Sequence, residues 1–182
     1  MKNALKILPL LGVGLLLTAS LARPQFGTST GTTNVTVTIG AQAGLNITNS
    51  STPLTATGTN FNTFTGSTGL TYFIRTSASG GSGSITLKVT SDFTPSGGPS
   101  VATPPTAGDA LAYACTVGSP GTACTGTQTS STTTSTAVAT FGADAHTSTA
   151  GSTASIAWTL TNDPKYKTGT YDATVTFTIS AT

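Results

Sequence analysis

Few side chains in this 182-residue chain are of types that do chemistry. Cleavage of a glycosidic bond usually takes two carboxylic acids whose pKa values have been pushed apart. The chain offers Asp92, Asp109, Asp144, Asp163 and Asp172, and no Glu at all. All but Asp172 lie in or beside a turn-forming run, where an Asp side chain commonly bonds its own backbone. The single His, His146, follows Asp144 by two positions in Phe141-Gly-Ala-Asp-Ala-His, and strand alternation would put both on one side. They have no nucleophile to serve. No Gly-x-Ser-x-Gly elbow between a strand and a helix is present, and in so Ser-rich a chain no one serine is singled out by its surroundings. One His and two Cys do not make a zinc set, and no stretch has the alternating Asp and Asn ligands and closing Glu of an EF-hand loop. The glycines of Ser79-Gly80-Gly81-Ser82-Gly83 read as a turn between strands rather than a phosphate cradle. The expectation is a protein without catalytic residues, metal or cofactor.

Cys115 and Cys124 remain, separated by a segment that contains Gly118-Ser-Pro-Gly121. In an exported protein two thiols flanking a turn form a disulfide. Closing so short a loop removes chain entropy worth about 2.5 to 3 kcal/mol. The spacing is not Cys-x-x-Cys, so a redox role is not implied.

The elements that would carry these residues are strands. Thr supplies about a quarter of the chain, charged residues only 7%, and Glu none. Thr is β-branched and suits a pleated, half-exposed surface, whereas the strong helix formers are nearly missing. Strict alternation is clearest at Tyr171, Ala173, Val175, Phe177 and Ile179, with Asp172, Thr174, Thr176, Thr178 and Ser180 on the opposite face. The same period of two recurs in Val35-Val37-Ile39, Leu70-Tyr72-Ile74, Ile85-Leu87-Val89, Val138-Thr140 and Ile156-Trp158-Leu160. Gly, Pro, Asn and Asp clusters separate these runs, the punctuation of an antiparallel sandwich. The expected fold is all-β, an antiparallel immunoglobulin-like β-sandwich with one disulfide. Trp158, Tyr171, Val175 and Phe177 are its expected core, with Tyr171 a candidate tyrosine corner whose hydroxyl bonds nearby backbone. Residues 92–108, rich in Pro and Gly, form a long connection, and the Ser/Thr run 125–136 a solvated edge or loop.

The first 22 residues read as a signal peptide. Lys2 and Lys6 precede an apolar run from Ile7 to Leu17, and Ser20-Leu21-Ala22 offers small residues for cleavage. That run is short for a membrane anchor, so the mature chain is expected to be secreted, extracellular or on the cell surface, with no membrane span. Removing Lys2 and Lys6 leaves five basic residues against five Asp. A chain of zero net charge without basic clusters has no means of neutralising a nucleic-acid backbone. Residues 23–33 form a flexible lead-in and 34–182 a single sandwich domain. The partners this leaves are the protein itself or other surface proteins.

Gly169-Thr-Tyr171-Asp-Ala-Thr-Val175-Thr-Phe177-Thr-Ile179 resembles the closing strand of many bacterial immunoglobulin-like modules, and is similar to the end of the spore coat protein U and related chaperone-usher pilin-like families. Leu111-Ala-Tyr113 is similar to a mid-domain strand of that group. The resemblance implies a subunit of an extracellular fibre, pilus or coat. Members often carry an early disulfide and end on a near-terminal Tyr; this chain has its cysteines in mid-domain and ends Ile179-Ser-Ala-Thr. A second reading, of a different class, is a binding module for a polysaccharide or surface ligand that uses exposed aromatics such as Tyr72, Phe73, Tyr113 and Tyr166. Two placements are open for Val35, Val37 and Ile39: a strand of the chain's own sandwich, or a donor strand that completes the sheet of a neighbour.

Overall fold

A computed structural model describes Gly27 and residues 30–182. The expected signal peptide and most of the lead-in lie outside the described residues. The chain divides into two units, Met1–Val37 and Thr38–Thr182. The described residues of the first form neither helix nor strand.

The second unit is all-β. Its strands are β1 (Gln42–Ile47), β2 (Phe64–Arg75), β3 (Gly83–Thr94), β4 (Leu111–Val117), β5 (Thr122–Ala123), β6 (Gln128–Thr129), β7 (Thr136–Phe141), β8 (Ser152–Leu160) and β9 (Asp172–Ala181). One sheet runs β1-β2-β8-β4-β6 and the other β5-β7-β3-β9, and every pairing is antiparallel. The result is a two-sheet antiparallel sandwich with one disulfide, consistent with an immunoglobulin-like layout.

Alternation decides which side chains meet. On β8, Ala154, Ile156, Trp158 and Leu160 are buried, while Thr153, Ala157 and Thr159 face outward. Leu70, Tyr72 and Ile74 of β2 lie beside them, and Ile85, Leu87 and Val89 of β3 close the core from the opposite sheet. Tyr72 and Tyr113 are fully buried, each at 0% exposure, because each phenol finds partners inside. The Tyr72 hydroxyl donates to the Gly118 carbonyl at 2.5 Å and accepts from the Gly121 amide at 3.2 Å. The Tyr113 hydroxyl donates to the Ala137 carbonyl at 2.8 Å and is hydrogen-bonded to the Thr136 hydroxyl at 2.8 Å, tying one sheet to the other. The binding-module reading would need both rings at the surface; apolar alternation on β2 and β4 turns them inward instead.

The strand expected at Val35-Val37-Ile39 is absent. Those side chains are 92%, 77% and 65% exposed, and residues 31–40 take no regular structure. β1 takes the place beside β2, whose other side is held by β8. β1 itself was not anticipated. It is held in register by Leu45 opposite Tyr72, and the Arg75 guanidinium at the end of β2 donates to the Gly40 carbonyl at 2.8 Å and to the Gln42 side chain at 3.3 Å.

Candidate functional site

The two lateral seams of the sandwich are closed by different means. Along one, Cys115 of β4 is bonded to Cys124 just after β5, with Cα atoms 5.6 Å apart. The Cys124 amide donates to the Val138 carbonyl of β7 at 2.9 Å, so the bridge joins the two sheets. The other seam, where β1 and β9 face each other across the sheets, has no covalent closure. β9 is an edge strand with a neighbour, β3, on one side only. Its inward residues Val175, Phe177 and Ile179 are therefore half-buried and only flank the core, in contrast to their fully buried counterparts on β8. Edge position thus puts the expected core residues Val175 and Phe177 at the core's margin. Ile47 on β1 is 42% exposed on the same side. Along its ten residues the free edge of this strand, unpaired among the described residues, carries neither Pro nor Lys to blunt it.

Tyr171, just before β9, is outside the core. Its hydroxyl donates to the Lys167 carbonyl at 2.8 Å, the backbone tie expected of a tyrosine corner, but its ring lies on Gly98. A Cβ added to Gly98 would stand 2.4 Å from that ring, so the close approach requires glycine. The loop that carries Gly98 is folded around Asp92. One carboxylate oxygen accepts from the Phe93 amide at 2.8 Å and the Val101 amide at 2.7 Å, the other from the Ser100 hydroxyl at 2.7 Å and the Ala102 amide at 3.1 Å. Burial pushes this carboxyl up, and the hydrogen bonds from Ser100, Val101, Ala102 and Phe93 outweigh it, holding the group below the ordinary range. A depressed folded value means that the stabilisation is present above the unfolded pKa of about 3.9 and is lost as pH falls through the folded value. Acidification below about pH 4 is expected to speed amide exchange at Val101 and Ala102 while β8 stays protected, and Asp92→Ala is expected to do so at neutral pH. Unchanged exchange at these two amides would show that the loop holds without the carboxylate.

A second acidic group was not legible in the sequence. Asp163 accepts from the Thr106 hydroxyl and from the Lys165 amide, and Asp109 accepts from the Tyr166 hydroxyl at 3.3 Å. Thr106 bonding, then the Lys165 amide, hold the Asp163 carboxyl below its usual range. Burial, then the charge of Asp109, push the Tyr166 phenol up to about 12. The cluster ties the loop before β4 to the loop after β8. Asp144 and His146, the pair with the most catalytic appearance, sit in the loop after β7. Nδ1 of His146 lies 2.8 Å from the Asp144 carbonyl oxygen, both side chains are exposed, and among the described residues no serine hydroxyl is hydrogen-bonded to either. Among the described residues no group of three or more His, Cys, Asp or Glu side chains could hold a metal ion, and no helix is long and apolar enough to cross a membrane. Of the aromatics expected to bind ligands, only Phe73 is well exposed; Tyr166 is half-buried against Asp109. Comparison with protein-family models, with curated proteins and with solved structures found no match for this chain.

Proposed function

We propose that the protein is a structural subunit of an extracellular fibre, pilus or coat, exported through its signal peptide and joined to neighbouring copies by strand addition. The observation that carries this reading is a match between two unmet needs. β9 presents a long unpaired edge above a row of half-buried apolar side chains. Val35, Val37 and Ile39 form an alternating apolar row that pairs with no strand among the described residues and stands exposed. In strand addition the main chain supplies affinity and alternate side chains fill pockets. A segment with this pattern, laid along β9 of a second copy, would complete that copy's sheet and cover Val175, Phe177 and Ile179. The low charge of the chain agrees with a role in which copies pack closely.

Deleting residues 23–39 tests the proposal. The expected result is a truncated protein that keeps its β-sheet circular dichroism and sediments as a monomer, while the full mature chain forms polymers under the same conditions. A full chain that stays monomeric at high concentration, or a truncated chain that polymerises equally well, would overturn it. Unfolding of the truncated chain would instead place residues 34–39 within their own sandwich.

A further inference from the structure

At the end of the sandwich where β3 finishes and β9 begins, the Asp92 loop and the segment after β8 flank an open cleft of about 430 Å³. Phe93, Pro99 and Pro105 provide apolar wall, and Ser96, Ser100 and Thr103 provide hydroxyls. Lys165 and Lys167 stand on its rim. They are two residues apart, and neither ammonium group has a hydrogen-bond or ion-pair partner among the described residues. These are two of the four Lys and Arg residues of the sandwich, the others being Arg75 and Lys88.

The cleft is preorganised. Asp92, itself part of the lining, holds the loop by four hydrogen bonds. The Lys167 amide donates to the Gly97 carbonyl at 2.8 Å, and the Lys167 stem crosses Gly97, whose φ of 100° suits glycine. Tyr171 closes the back against Gly98. Its volume falls within the range of ligand pockets, which pair apolar walls with a few convergent polar groups. The nearby carboxylates are engaged elsewhere: the oxygens of Asp92 accept from the loop, and those of Asp163 from Thr106 and the Lys165 backbone. The Lys165 charge helps to hold Asp163 ionised without touching it.

We infer that this cleft binds a carboxylate-bearing saccharide, the sugar ring lying against Phe93 and the prolines and its carboxylates meeting Lys165 and Lys167. Two ammonium groups without internal partners favour an anion, the hydroxyl lining favours a polyol, and the apolar wall fits the C–H face of a pyranose. Phosphate or an acidic peptide would satisfy the lysines but leave that wall unused.

The test uses the full mature chain, kept dilute enough to be monomeric, and a short oligogalacturonate, followed by amide chemical shifts and calorimetry. Saturable shifts are expected at Gly97, Gly98 and Ser100, with affinity falling as salt rises. Lys165→Gln/Lys167→Gln, which removes both charges, keeps part of each stem and leaves β9 intact, is expected to weaken binding at least about tenfold, the scale of one or two charge-assisted hydrogen bonds. The methyl-esterified oligomer should bind as poorly to the unaltered protein. No shifts at millimolar ligand, equal binding by the double variant or by the ester, or equal binding of an oligo-aspartate peptide would each overturn the inference. Polymerisation should be the same in the double variant, so this outcome is independent of strand addition.

Discussion

Trp158→Ala is expected to destabilise the protein by about 3 to 5 kcal/mol, the usual cost of removing a large aromatic from a packed core. Trp158 is 4% exposed in the middle of β8, between Gly66 of β2 and Tyr113 of β4. Its ring stands 5.5 Å from that of Tyr113, tilted by 56°, a geometry that adds a favourable aromatic term to the burial. The indole N–H donates to the Thr68 hydroxyl at 2.8 Å, and that hydroxyl is also bonded to Thr52. Truncation therefore opens a cavity that β-strands fixed by ladders on both sides cannot collapse to fill. For a domain of this size the loss corresponds to a fall in Tm of about 6 to 20 °C. Trp158→Phe, which keeps a ring against Tyr113 and loses the N–H bond, should cost markedly less. Thermal denaturation followed by circular dichroism checks both, and a Trp158→Ala protein within 2 °C of the parent (about one kcal/mol at most) would contradict the burial argument. Native tryptophan emission should lie well to the blue of the solvent value.

Breaking the Cys115–Cys124 bond is expected to cost about 2.5 to 3 kcal/mol, from the chain entropy that closing so short a loop removes from the unfolded state. Intact mass of the exported protein should rise by about two hydrogens on reduction, and two freely alkylated thiols in unreduced material would remove the basis of the prediction. The effect should also be local. Cys115 lies in the five-stranded sheet opposite Ile156, and Cys124 follows β5 of the other sheet. Because β5 is only two residues long, it has little ladder of its own to hold it. Amide exchange in the Cys115→Ala/Cys124→Ala variant should rise first at β5 and in residues 118–127, and least at β8. Equal loosening at β1 and β9 would mean that the bridge stabilises the sandwich globally rather than at its own seam.

These expectations bear on assembly through the asymmetry between the seams. One is tied by the disulfide and by the Tyr113 hydroxyl, which crosses between sheets. The other is left to β1 and β9, whose half-buried apolar residues gain only if something covers them. A subunit joined by strand addition needs one rigid side and one receptive side. The strand-addition proposal depends on the receptive side; Trp158 and the disulfide determine how firmly the rest of the molecule holds it in place.

Period and composition account for all that the sequence alone determined. Alternation of apolar and polar residues specifies which side of a strand is buried, and it placed Ile85, Leu87, Val89, Ile156, Trp158 and Leu160 without reference to any neighbour. Two cysteines about a turn specify a short disulfide loop, since few residues separate them. Alternation does not specify which edge a strand joins. Val35-Val37-Ile39 has as good a pattern as any strand in the chain, yet it forms no strand among the described residues, although β1 and β9 each leave an edge free. Nor does it fix depth: Phe177 and Trp158 occupy equivalent places in their local patterns, and only strand order makes one marginal and the other central. Tyr72 and Tyr113 looked equally suited to a surface or a core, until Gly118, Gly121, Thr136 and Ala137 supplied partners that lie far away in sequence. The Asp92 loop and the lysine cleft belong to the same class. Their hydrogen bonds and shared walls join segments on opposite sides of β4 to β8, and such proximity is decided by the packing of two sheets, not by the spacing of residues along one chain.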